Sequence, residues 1–336
     1  MLAVQSYDCA SRPDLGPLAT IFRGDLMDAF FASLAPLIAA AINAGTPLML
    51  AALGLLINEK AGVVNLGAEG MMLMAAVIGF ATAVHSGSPA LGFVAGAAAG
   101  MVLAGFFAWL TVWLGTNQYA TGLALSLFGA GASAYIGIAY VGNSLHNVAS
   151  GIPLLEDIPF LGRALFRQHP MVYLSLLLCA AIAWFLYRSR AGLVLRAVGE
   201  SPSSAHALGY DVRRIRLGAL LFGGACCGLA GAFLSLVYTP QWVEGMTAGR
   251  GWIALALTTF ATWRPARVLI GAYLFGGVTI LTFYVQANGV PIASQLLSML
   301  PYLATIVVLV LISRNANWIK LNMPASLGKN FNPDSG

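Results

Sequence analysis

"GESPSSAHALGYDVRRIR", residues 199–216, is a polar stretch set between two long apolar runs. Arg188, Arg190 and Arg196 precede it, and Arg213, Arg214 and Arg216 close it. Arginine and lysine gather on the cytoplasmic side of membrane spans, so the 188–216 loop is expected in the cytoplasm with a span on each side. Within the loop the residues specify a short helix. Ser201 is a good N-cap, Pro202 is pre-organised for the first helical position, and Gly209 can take the left-handed conformation that ends a helix. Such a helix is about two turns long, too short to cross a membrane or to persist alone. Two placements are open to it. It docks into another protein through Ala205, Leu208 and Tyr210, or it is pinned against its own bundle.

Composition supports the membrane frame. Apolar residues make up 59% of the chain and charged residues 9%, with a mean hydropathy of +0.82, whereas soluble domains carry roughly a quarter charged residues. Runs such as Ala219–Tyr238 and Leu296–Ile312 approach or reach the ~20 residues that a helix needs to cross the hydrocarbon core. The repeated ten-residue alternation of a β-barrel is absent. The expected fold is therefore all-α, a polytopic bundle of about 8–10 transmembrane helices. Cys9, Cys179, Cys226 and Cys227 lack zinc or haem spacing and read as small packing residues. The four histidines form no HExxH, so no metal site and no cofactor is expected on the chain. The net charge of +5 sits beside apolar spans, which speaks of membrane orientation and not of a nucleic acid polymer as partner.

Counting from the 188–216 loop gives about nine spans. Toward the C-terminus, 217–238 leaves the cytoplasm, 249–263 returns to Arg264 and Arg267, 267–286 exits, and 293–313 brings Arg314, Lys320 and Lys329 back inside. Toward the N-terminus, 170–187, 119–141, 91–115 and 68–86 alternate. The 142–169 loop with Glu156, Asp157, Arg163 and Arg167 then lies outside, and Lys60 inside. The expected organisation is an extracytoplasmic segment 1–25, a membrane domain 26–313 and a cytoplasmic tail 314–336. The first 25 residues hold no apolar h-region, so no cleavable signal peptide is expected. Two places weaken the count: 249–263 is short enough to be re-entrant, and 25–57 is long enough to hide a break at Asn43–Pro47.

Three further patterns stand out. Gly92, Gly96, Gly100 and Ala104 share one helix face, as do Gly224, Gly228 and Ala232; such faces let helix backbones approach closely in lipid. "NEKAGVVNLGAEG", 58–70, places Glu59, Lys60 and Glu69 among three glycines. It is either a cytoplasmic turn, which the span parity favours, or an unwound stretch lining a cavity, because charges at mid-membrane are costly. "TPQWVEGMTAGRGW", 239–252, should face outward. Its Arg250, beside a helix start that disfavours cations, is expected to pair with Glu244 or to snorkel. Gly328-Lys329 lacks the rest of a P-loop, so nucleotide hydrolysis by that route is not expected.

"INEKAGVVNLGAEGMML", "LVLRAVGESPSSAHALGYDVRRIR", "GRGWIALALTTFATWRP", "GAYLFGG" and "PYLATIVVLVLISR" with the closing "PASLGK" resemble the permease subunits of bacterial ABC importers. The likeness is to the nucleoside-type branch of the ribose and branched-chain amino acid permease superfamily, with its type II importer fold. It runs from about residue 45 into the C-terminal tail. It implies three protein partners: a second, paralogous permease, an ABC ATPase with two nucleotide-binding domains, and an extracytoplasmic substrate-binding lipoprotein. It places the chain in the bacterial cytoplasmic membrane. It also implies that Ser201, Pro202, Ala205, His206, Leu208, Gly209 and Tyr210 form a coupling helix for the ATPase, which would hydrolyse ATP in place of this chain.

The resemblance supplies no set of substrate ligands. Asn65, Asn117, Gln118 and Gln241 are the polar candidates for the pore, each also suited to capping a helix or joining two. Two other classes remain, a secondary transporter driven by an ion gradient and a scaffold subunit without transport. The first should carry ionisable residues within its spans; the second gives no reason for the capped helix.

Overall fold

The computed structural model describes residues 16–145, 165–287, 293–313 and 322–331. Seven of its helices are long and apolar enough to cross a membrane. They are α1 (Gly16–Lys60), α2 (Ala68–Ser86), α3 (Pro89–Ala108), α4 (Gln118–Gly137), α5 (Pro170–Arg188), α8 (Val212–Phe233) and α10 (Pro265–Ala287). Between α5 and α8 lie two short helices, α6 (Arg190–Glu200) and α7 (Pro202–Ala207). Two further apolar segments are short or broken helices. The first is α9 (Arg250–Phe260), 11 residues long and preceded by a run of turns. The second is split into α11 (Ser294–Ser298) and α12 (Leu300–Ser313) around Met299, where Pro301 has no N–H to continue the ladder. They lie where the sequence places the remaining two of its about nine expected spans, beside the seven long helices. Among the described residues there is no strand, only two isolated bridges that tie the loop after α4 to the loop after α8.

The last third of α1 is the axis of the bundle. Every residue from Ala44 to Glu59 is buried, because α5, α8, α9 and α10 pack around it. A helix that is apolar on all sides suits such a place. The suspected break at Asn43–Pro47 is absent: α1 is continuous through Pro36 and Pro47. Beside the missing Pro47 donor, Thr46 Oγ1 donates to Ile42 O at 2.8 Å, and Asn43 Nδ2 donates to Gln168 Oε1 at 2.8 Å. The helix also begins at Gly16, within the 1–25 segment expected to precede the membrane domain. Glu156, Asp157, Arg163, Arg314 and Lys320, used to orient the chain, lie outside the described residues.

The two small-residue faces meet each other. A Cβ placed on Gly100 would stand 2.1 Å from Gly224 O, one on Gly224 2.5 Å from Gly100 O, and one on Gly228 2.3 Å from Gly96 O. Backbone thus touches backbone along α3 and α8, the arrangement that replaces hydrophobic driving force inside a lipid solvent. Cys226 and Cys227 are buried and unpaired on α8, with Cys226 packed beside Gly54 of α1. Gly100→Ala should lower stability by about 1–3 kcal/mol, the usual cost of overpacking a tight contact. Gly105→Ala, whose new methyl would meet only Leu221 at 3.5 Å, should melt with the parent in detergent. Equal melting of the two variants would contradict the seam.

Candidate functional site

At the basic end of the bundle α7 is capped at both ends, as its residues require. Ser201 Oγ accepts from Ser204 N at 3.3 Å. The C-terminus closes with Gly209 N donating to His206 O and Tyr210 N to Ala205 O, the paired bonds of a Schellman cap, which needs the positive φ of +88° that Gly209 adopts. The helix has two faces. Ala205 turns inward, 3% exposed, onto Val198 and Val212, so it anchors α7 to its own bundle and is not an outward contact. Leu208 is 78% exposed and Tyr210 is exposed beside it. An apolar side chain held in water on a rigid, capped knob is what a docking surface presents.

Residues 58–70 are part helix end, part turn and part unwound backbone. Asn58 to Lys60 end α1 and Ala61–Gly62 turn the chain at the basic end, where Lys60, Arg196 and Glu200 line one cleft. Val63 to Leu66 are unwound and climb along α4: Val64 N donates to Gln118 Oε1, at the first residue of α4, and Leu66 O accepts from Ser126 Oγ at 2.7 Å. Ser126 lies eight residues into α4, about 12 Å by helical rise. The chain therefore re-enters the bundle before α2 begins at Ala68.

That climb delivers Glu69 to the start of α9. Its Oε1 accepts from Thr247 Oγ1 at 2.6 Å and Gly249 N at 2.9 Å, and its Oε2 from Gly251 N at 2.6 Å. At the other end of α9, Glu59 Oε2 accepts from Thr258 Oγ1 at 2.9 Å and from Trp263 Nε1. Thr262 and Trp263 both have positive φ, a strained turn held by the Trp263 bond and by Arg267 donating to Thr262 Oγ1. Two carboxylates, from the end of α1 and the start of α2, thus bracket one short helix. Residues 239–249 are irregular backbone leading into α9, so the helical part of 249–263 is Arg250–Phe260.

Arg250 corrects the sequence reading. It makes no ion pair with Glu244; its Nη1 donates to Met246 O at 3.1 Å and its guanidinium lies 5.1 Å from the Tyr238 ring centroid. The positive end of α9 is answered by Glu69 instead, as the dipole favours.

The four polar candidates do not converge. Asn65 is buried in the unwound segment, its Oδ1 accepting from Gly67 N. Gln118, also buried, joins that segment to Asn330 by donating to Asn330 Oδ1 at 3.2 Å. Asn117 caps α4, its Oδ1 accepting from Tyr119 N and Ala120 N. Gln241 lies apart from these three, exposed in the loop after α8, its N donating to Thr239 O. Sequence reasoning noticed Glu59 and Glu69 as interruptions but gave them no partner. It gave no structural role to Thr247, Arg216 or Ser326; the one available signal was the closing "PASLGK" among the stretches that carry the family resemblance. Among the described residues no three His, Cys, Asp or Glu side chains assemble a metal site. The arrangement's polar groups are spent on backbone and helix ends.

An apolar bundle with two short or broken helical segments and a capped, outward-facing helix on its basic end is the architecture of a membrane permease. The chain belongs to the family described as "Branched-chain amino acid transport system / permease component", which matches residues 37–312. It is similar to the Haloferax volcanii permease protein TsgC13, which has a glucose ABC transporter in its name, at 40% identity over 325 residues, 89% of this chain and 98% of that one. The nucleoside ABC transporter permease protein NupC of Lactococcus lactis is 32% identical, covering 79% and 88% of the two chains. The guanosine ABC transporter permease protein NupQ of Bacillus subtilis is 29% identical, covering 78% and 87%. Haloferax volcanii and Bacillus subtilis each contain a second matching permease, at 27% identity. No solved structure matches the chain.

Glu69→Gln puts an amide N–H₂ where a carboxylate now accepts from three donors, so at least one donor loses its acceptor. Hydrogen bonds to charged groups contribute about 1.5–3 kcal/mol each. The variant should lose about that much stability in detergent and most of its transport activity, whereas Glu244→Gln should match the parent in both assays.

Proposed function

We propose that this chain is one half of the translocation pore of an ATP-driven importer for nucleosides or related sugars. The names of the relatives support the substrate class. The observation that carries the mechanism is the outward face of α7: Leu208 and Tyr210 stand exposed on a helix whose inner face is fixed by Ala205. In this reading Ser201–Tyr210 docks into a separate ABC ATPase with two nucleotide-binding domains. A second, paralogous permease completes the pore, and an extracytoplasmic lipoprotein delivers the substrate. ATP-driven closure then biases the bundle between inward-open and outward-open states through a rigid contact. The substrate path runs beside the unwound 63–67 segment and α9, since discontinuous helices mark such paths; Asn65 is the polar candidate that belongs to it, with Gln118 at its foot. The chain sits in a bacterial cytoplasmic membrane with its N-terminus outside and its C-terminus inside.

Buried Glu59 and Glu69 give the ion-driven reading one specific observation, because carboxylates inside spans often relay protons. Their donors are already committed to α9, which favours the ATP-driven reading. Uptake of labelled nucleoside should require the ATPase and the second permease. Uptake by this chain alone under a proton or sodium gradient would transfer the function to the secondary class.

Leu208→Asp should abolish co-purification of the ATPase, since loss of an interface anchor reaches ~2 kcal/mol, or roughly thirtyfold in affinity. The permease should still insert, and Ser203→Ala should be silent. Retained co-purification and coupling would refute the docking of α7. For orientation, Ser203→Cys should resist an impermeant thiol reagent added outside intact cells while Val243→Cys reacts, in a background without the native cysteines.

A further inference from the structure

Residues 322–331 cross the basic end of the bundle as a strap. Ser326 is buried, its N donating to Gly199 O at 3.1 Å and its Oγ to the same oxygen at 2.6 Å, which ties the strap to the end of α6. Gly328 N donates to Gly62 O at 3.2 Å, and Lys60 Nζ to Asn322 O at 2.8 Å. Arg216, 2% exposed at the base of α8, binds strap and turn together. Its Nε donates to Ala61 O, its Nη2 to Ser326 Oγ and its Nη1 to Lys329 O, at 3.2, 3.3 and 3.2 Å. At the strap's end Asn330 accepts from Gln118, whose other amide atom holds Val64 N, and donates to Gly115 O and Thr116 O. Phe331 then meets His206 of α7, ring centroids 5.6 Å apart, and joins the Val198–Ala205–Val212 cluster.

The strap touches both α7 and the 58–66 segment, and these two share no hydrogen bond among the described residues. We propose that residues 322–331 are the transmitting element of this permease. A displacement of α7 passes through Phe331 and Asn330 to Gln118 and Val64, and through Arg216 to Ala61. From there the unwound 63–67 segment carries it to Glu69 and the start of α9. This rests on the reading of α7 as the ATPase docking helix. A planar guanidinium with donors in fixed directions makes the central joint stiff, which a lysine at the same place would not reproduce. The strap residues are positioning residues: they act through the backbone they hold.

The test uses the whole transporter in proteoliposomes, with uptake and ATP hydrolysis measured on one sample. Asn330→Ala removes the exposed side chain that accepts from Gln118, and Phe331→Ala removes the ring that meets His206; neither replaces a residue of α7 itself. Both variants should keep the ATPase on co-purification, while uptake per ATP hydrolysed falls roughly two- to thirtyfold, the range of coupling changes along such networks. Unchanged uptake per ATP in both would overturn the proposal. So would loss of the ATPase, which would make the strap part of the docking surface, or a fall in permease level with uptake per ATP intact, which would make it a structural cap. Leu208→Asp, run alongside, separates the two readings: if it keeps the ATPase, docking by α7 fails and the strap loses its input, whereas failure of the strap variants alone leaves docking standing.

Discussion

A helix that starts inside a packed bundle leaves unpaired N–H groups at its first turn, and Glu69 answers that constraint for α9. The rest of the arrangement follows from where that carboxylate must be. α2 has to begin at the depth at which α9 begins, so the chain leaving α1 must turn and climb without helix for several residues. Backbone in that climb needs its own partners, and Gln118, Ser126 and Asn65 provide them. The climb must also pass close to α4, which explains why Gly67, Gly70, Gly122 and Gly129 crowd there; a Cβ on Gly129 would lie 2.5 Å from Gly70 Cα. Glu59 fixes the opposite end of α9, so the short helix is held by both its termini and not by length.

The bundle divides by how its parts are held. α2, α3 and α8 are joined by backbone contacts through glycine, which leave no side chain free to adjust. The short or broken helical segments and the basic end are joined by hydrogen bonds to carboxylates, amides and a guanidinium. The first kind of joint fixes distance through close packing, the second fixes direction through donors and acceptors.

Much of this was legible in the residues. The lengths of the apolar runs located the seven long helices, and glycine spacing on two of them identified the faces that meet. Ser201, Pro202 and Gly209 defined both ends of α7. What stayed hidden was partnership at a distance. Periodicity says which face of α7 is apolar at Ala205, but not that this residue faces the bundle while Leu208 faces away. Arg250 and Glu244 are neighbours in sequence, which suggested a pair, whereas the acceptor for the start of α9 comes from 180 residues away. Pro47 reads as a break, yet a fully packed axis keeps the helix whole. The strap escaped because its bonds run through its backbone as much as its side chains, and backbone carries no residue-type signal.

The separation between Glu69 and its partners has a consequence for biosynthesis. Glu59 and Glu69 emerge from the ribosome with the first two spans, but Thr247, Gly249, Gly251, Thr258 and Trp263 follow 178 to 204 residues later. At ordinary translation speeds that is on the order of ten to forty seconds. Until then both carboxylates lack the donors they have in the finished protein, and water or another group has to satisfy them. The bonds that join the 58–70 segment to α9 are therefore among the last contacts that synthesis makes possible.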